Sequence, residues 1–135
     1  MLGQLTAAEY SMHITIFSFG FKYGHAKANY VFDLRFLPNP YWEPELRPYA
    51  GTDARVAAYV LEHPETIEFL ALVQALLTFV CAALKDGKRQ ELSIACGCTG
   101  GRHRSVAISE HLAAWLRQEG YQVACTHRDV LREAG

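Results

Sequence analysis

LSIACGCTGGRHRSVAISEHLAAWLRQ, Leu92 to Gln118, decides the fold. Leu92–Cys96 is a short apolar run with strand character, and Gly97 to Ser105 is a glycine-rich turn. Val106 to Gln118 then places Val106, Ile108, Leu112, Ala113, Trp115 and Leu116 at helical spacing and stops at Gly120. A strand, a glycine turn and a helix N-terminus in succession make a ready anion site. Glycines let backbone N–H groups converge, and the helix end adds partial positive charge. Arg102 and Arg104 contribute two forked, permanently charged donors that match phosphate geometry. The loop is therefore expected to hold a phosphate group.

The flanking sequence supplies the other elements. Met12–Phe19 alternates and is rich in β-formers, which predicts a first strand. Tyr30–Phe36 predicts a second, with Asp33 and Arg35 on one face. The loop between them has Gly20 and Gly24 as flexible points and carries Lys22, His25 and Lys27. Pro38, Pro40, Pro44 and Pro48 forbid regular structure in the segment that follows. Asp53 is placed to cap a helix over Ala54 to Glu62, stopped by His63-Pro64. A second helix is expected from about Thr66 to a Gly87 cap, and Gln122–His127 is expected to be the fourth strand. The alternation predicts one α/β layered domain over residues 1–135, with residues 1–11 as an N-terminal arm. Its sheet is expected to have about four strands, largely parallel or mixed, with helices packed on it. Ligands in such sheets gather beyond the C-terminal strand edges.

Bulk properties narrow the function classes. The chain has 135 residues, half of them apolar, and a net charge of −1, so any basic surface must be local. The N-terminus lacks a cationic start and a continuous apolar stretch, so no secretion signal is read there and a cytoplasmic location is expected. Phe69 to Leu84 spans 16 residues, short of the roughly 20 a membrane crossing needs. It reads as a buried core helix, with a share in a subunit contact, and no membrane is expected. Cys81, Cys96, Cys98 and Cys125 make no disulfide scaffold and are expected to be reduced. The spacings Cys96-x-Cys98 and Cys125-x-His127 match common structural zinc sites poorly, so neither metal nor cofactor is expected.

Three chemistries compete for the glycine loop. A non-catalytic phosphate cradle is favoured. The alternative is a cysteine phosphatase, because Cys98, Arg104 and Ser105 match C-x5-R-S. There a low-pKa Cys98 thiolate would attack phosphorus while loop amides and Arg104 hold the oxygens. The histidine usual before such a cysteine is Gly97 here, and no downstream catalytic acid is obvious, although Asp33 could approach in three dimensions. A nucleotide P-loop fails for want of the lysine after its glycine.

SFGFKYG, YVFDLRFLPNPYW, GCTGGRHRSVAISEHLA and the closing THRD resemble the C-terminal domain of the RapZ family of RNase adaptors, from about Met12 to about Asp129. The resemblance implies an α/β domain distantly like sugar-phosphate enzymes that senses glucosamine-6-phosphate. It also implies binding of small regulatory RNA, delivery of that RNA to an endoribonuclease, and homo-oligomers. The family's phosphate loop carries over onto Thr99, Gly100, Gly101, His103 and Arg104. Two departures stand out. Tyr41 occupies a position where members often have a ligand-site histidine, and tyrosine cannot become cationic near neutral pH. The tail mixes Arg128 and Arg132 with Asp129 and Glu133, so RNA affinity is expected to be weaker or to use another face. The family's kinase-like N-terminal half is missing. The chain reads as an excised domain or a stand-alone version, the second favoured because Leu2 to Ser11 does not look like an expression tag.

The expected ligand set is thus Thr99, Gly100, Gly101, Arg102, His103, Arg104, Arg35, Asn39, Tyr41 and Lys22. No catalytic residue is expected outside the phosphatase alternative. Asn39 is expected to be a turn-former first, and Asp33–Arg35 competes as a purely structural pair. Tyr41, Trp42 and Tyr49 are expected either to stack on a ligand or to cover the core.

Overall fold

The computed structural model describes residues 12–132; the expected N-terminal arm lies outside the described residues. Four strands, β1 (His13–Gly20), β2 (Tyr30–Asp33), β3 (Glu91–Cys98) and β4 (Gln122–His127), form one sheet in the order β2-β3-β1-β4. All three pairings are parallel, which resolves the parallel-or-mixed expectation. Three helices complete the fold: α1 (Ala54–Leu61), α2 (Pro64–Asp86) and α3 (Arg104–Gln118).

The register shows which face the helices cover. Ile16 stands beside Ile94 on β3 and Cys125 on β4, and Tyr30 of β2 is beside Ile94. The two-residue period puts Ile14, Ile16, Leu92, Ile94 and Cys96 on the same side. These residues share one buried cluster with Val60 of α1, Leu70, Val73, Leu77 and Cys81 of α2, and Ile108, Leu112 and Leu116 of α3. Right-handed crossovers explain why the helices share a side. The β2-to-β3 and β3-to-β4 connections both step the same way across the sheet, so both lay their helices on one face. The β1-to-β2 connection steps the other way and carries no α-helix.

Several boundaries differ from expectation. The second strand ends at Asp33 rather than Phe36: the Leu34 amide makes the last ladder bond, to the Gly97 carbonyl at 2.7 Å, and the Leu37 amide then turns back on the Leu34 carbonyl. The third strand runs on to Cys98, and α3 begins at Arg104. The long helix begins at Pro64, whose missing donor is harmless in a first turn, not at Thr66. Asp53 caps α1 by accepting from the Arg55 amide at 2.9 Å. Gly87 caps α2 as read from the sequence.

α2 departs most from the reading of a buried core helix. It runs for 23 residues, long and apolar enough by length and composition to cross a membrane. One stripe, Thr66, Leu70, Val73, Leu77 and Cys81, is buried against the sheet. Ile67, Leu72, Leu76 and Phe79 are exposed on its other side.

Candidate functional site

Neighbouring strands β3 and β1 send their chains in opposite directions, β3 past β1 to β4 and β1 past β3 to β2. Such a switch point opens a crevice at the C-terminal edge of a parallel sheet. The Gly97–Ser105 loop starts there. Gly101 has φ +72°, and a Cβ on it would collide with the Gly20 amide nitrogen at the end of β1. Only glycine allows both that conformation and that approach. On its other side the loop receives the proline-rich segment. The Gly51 amide donates to the Arg102 carbonyl at 2.8 Å, and Arg102 Nη2 donates to the Pro48 carbonyl.

A cavity of about 340 Å³ sits in this crevice. Cys98, Thr99, Gly100, Arg102, His103 and Arg104 form its floor, and Lys22, Asn39, Tyr41 and Trp42 its walls. Eight of the ten expected ligand residues therefore meet in one place. Gly101 is beside the cavity as the pivot of the loop rather than in its lining. Arg35 is not in the lining: its guanidinium grips Asp33 through Nε at 2.9 Å and Nη2 at 2.6 Å, and stacks on Phe21. That grip holds the Asp33 carboxyl below its ordinary range and leaves Asp33, the candidate phosphatase acid, outside the lining as well.

The lining carries Lys22, Arg102 and Arg104 and no carboxylate. Arg104 is 4% exposed. Its Nη1 donates to the Arg35 and Leu37 carbonyls at 2.8 and 3.0 Å, so strand β2's exit is tied to the loop. Its Nη2 is 3.5 Å from Thr99 Oγ1. Among the described residues, Nε of Arg104 and of Arg102 is buried without a protein acceptor. Burial pushes the Arg104 pKa down and the neighbouring Cys98 works against it; a guanidinium stays charged regardless.

The backbone repeats this surplus of donors. The first bond within α3 runs from Ala107 to the His103 carbonyl. Among the described residues, nothing accepts from the amides of Gly100 through Val106, and the His103 side chain makes no cap bond. The first N–H groups of any helix lack intrahelical partners, and here the loop from Gly100 to His103 lengthens that run; converging N–H groups at a helix N-terminus suit an anion. His103 uses Nε2 to donate to the Arg47 carbonyl at 3.0 Å. Burial, together with Arg102 and Arg104, lowers its pKa against the pull of that carbonyl, which keeps it neutral at pH 7.

The aromatic wall is built by the proline-rich segment. Asn39 is a turn-former, as expected, accepting from the Tyr41 amide at 3.1 Å with Pro40 next to it. Arg47 lies over the Tyr41 ring and donates to its carbonyl at 2.6 Å. Trp42 meets Tyr41 edge-on and is 71% exposed. Tyr49 is not in the lining; Arg55 stacks on it. Cys98 Sγ donates to Ser105 Oγ at 3.1 Å. Cys96, on the helix-covered face, is pushed up to about 12 by burial and is chemically quiet.

Sequence reasoning missed two supports of the site. Gly51 had no signal beyond being a glycine near prolines. In the sequence Asp129 reads only as a tail charge offsetting Arg128 and Arg132. It is fully buried and accepts from the Gly20 amide at 2.8 Å and from Arg128 and Arg132 Nε at 2.9 Å. Arg128 also reaches the Gly20 and Gly24 carbonyls, so the chain after β4 holds the strand end on which Gly101 rests.

Fold and site together define a parallel α/β domain with a cationic pocket, lined by no carboxylate, at the switch point of its sheet. The chain belongs to the RapZ C-terminal domain family, which matches residues 12–131. It is similar to proteins named nucleotide-binding protein in three distant bacteria. The identity is 51% over 124 residues with the one from a Nocardioides species, covering 90% of this chain and 41% of that protein. With that of Aliivibrio fischeri it is 48%, covering 85% and 41%. With that of Bacillus thuringiensis it is 45%, covering 96% and 44%. The chain thus spans about two-fifths of the length of these relatives.

Proposed function

We propose that the chain is a phosphate-anchored ligand-sensing domain that takes an amino-sugar phosphate such as glucosamine-6-phosphate. The single observation that carries this reading is the surplus of donors. The amides of Gly100 through Val106 and the Nε atoms of Arg102 and Arg104 have no acceptor among the described residues, and Gly100, Arg102, His103 and Arg104 of that run line one cavity. A phosphate group brings the acceptors and the charge that such a loop lacks. The volume, about 340 Å³, is at the small end of the roughly 300–1,000 Å³ of ligand pockets and suits a single sugar phosphate. Tyr41 and Trp42 offer the sugar a stacking wall. The relatives' name, nucleotide-binding protein, agrees with a phosphorylated ligand.

Calorimetry and thermal shift with a hexosamine phosphate, a hexose phosphate and the unphosphorylated amino sugar test the proposal. Phosphorylated sugars should raise Tm and the free sugar should not, because only a ligand that prefers the folded state stabilises it. Equal effects of free and phosphorylated sugar would overturn the reading.

The Cys98–Ser105 contact favours a second reading, a cysteine phosphatase. It is the weaker one because no acid lines the pocket. Turnover of an aryl phosphate that vanishes in Cys98→Ser would establish it. Binding of small regulatory RNA for an endoribonuclease, homo-oligomers and a cytoplasmic setting complete the functional proposal by family likeness. Arg128 and Arg132, the tail cations, are both engaged by Asp129, so RNA contact from the tail should be weak. Its affinity would fall steeply with salt, whereas metabolite binding in the phosphate cavity would respond less.

A further inference from the structure

Outside the lining of the phosphate cavity, Cys125 and His127 stand two residues apart on edge strand β4. The period of two points both toward α3, and both are partly buried. Glu110 of α3 reaches them from above. Glu110 carboxylate, Cys125 Sγ and a His127 ring nitrogen all lie within 4.8 Å of one another. From these observations we propose that Glu110, Cys125 and His127 form a binding site for a divalent metal ion of the zinc class.

The donor set fits that class. Thiolate, imidazole and carboxylate in a three-ligand array are the ligands of zinc sites that keep an open position. The geometry fits as well. His127 Nε2 and Glu110 Oε1 are 3.2 Å apart, close to the ~3.3 Å edge of a tetrahedron with metal bonds of ~2.0–2.1 Å. The histidine is already oriented. Its Nδ1 lies 2.7 Å from Oγ of the fully buried Ser18, which leaves Nε2 as the atom facing the cluster. A fixed hydrogen bond on the far nitrogen is the usual support of a metal-bound histidine. Glu110 has a side chain 44% exposed and gives the ion an entry path and room for a solvent ligand. Binding would displace the Cys125 thiol proton to solvent as the metal–sulfur bond forms.

Cobalt(II) is the probe, added to the full 135-residue chain with its thiols kept reduced. A near-ultraviolet thiolate-to-cobalt charge-transfer band with visible bands of tetrahedral intensity is expected, and zinc should bleach both. Cys125→Ser should abolish the charge-transfer band. Glu110→Gln, a near-isosteric change at a half-exposed side chain, should weaken cobalt binding roughly tenfold or more. Circular dichroism of both metal-free variants verifies that they fold. No charge-transfer band in the parent chain, or a band that persists in folded Cys125→Ser, would overturn the proposal. This site stands apart from the phosphate loop, so either result leaves the sugar-phosphate reading unaffected.

Discussion

Arg104 joins architecture to binding. Two of its donors hold the carbonyls of Arg35 and Leu37, and Nε is left without a protein acceptor. Arg104→Lys keeps the charge and loses the fork. Its Tm should fall, and the affinity for a sugar phosphate should drop by about 2–3 kcal/mol, the size of a charge-assisted hydrogen bond. Calorimetry checks the second number. Gly101 is a purely steric case. Gly101→Ala places a methyl against the Gly20 amide at a φ of +72° and should cost about 1–3 kcal/mol by chemical denaturation. At this scale the sequence was most readable where chemistry is local. Glycines and arginines between a strand and a helix are enough to nominate the loop. Arg35 is the counterexample. A strand drawn through Phe36 left a ligand role for Arg35 in competition with a structural pair, and the chain leaves the sheet at Asp33 so that Arg35 folds back on that carboxylate.

Among the elements, α2 separates composition from packing. Its sequence is apolar nearly all round, so no clean stripe marks which side meets the sheet. The structure picks Leu70, Val73, Leu77 and Cys81 and leaves Leu72, Leu76 and Phe79 in solvent. Leu77→Ala, at a fully buried position, should cost about 2–5 kcal/mol, and Leu72→Ala, 67% exposed, under about 0.5 kcal/mol. Urea denaturation of the two variants measures the difference. Caps were legible for the opposite reason. Asp53 and Gly87 act within one turn of their own positions, where sequence neighbours decide the outcome.

Strand order, and with it the switch point, was not legible, because it depends on which strands meet across more than seventy intervening residues. Asp129 shows this best, since its partner Gly20 is 109 residues away. Burial alone would raise its pKa, but hydrogen bonds from Arg128, Gly20 and Arg132 outweigh burial and hold it below the ordinary 3.8. A carboxyl lowered in the folded state stabilises above its unfolded pKa, and that stability is lost as pH falls through the folded value. Unfolding free energy should therefore fall steeply below about pH 4, and Asp129→Asn should flatten that acid limb while lowering stability at neutral pH. Denaturation curves taken across that range check both. The central claim, that the turn after β3 grips a phosphate through its backbone, is tested most directly by amide NMR during titration with a hexosamine phosphate. The account predicts saturable downfield shifts concentrated on the amides of Gly100 to Val106. Shifts confined to other parts of the molecule, or none at saturating ligand, would contradict it.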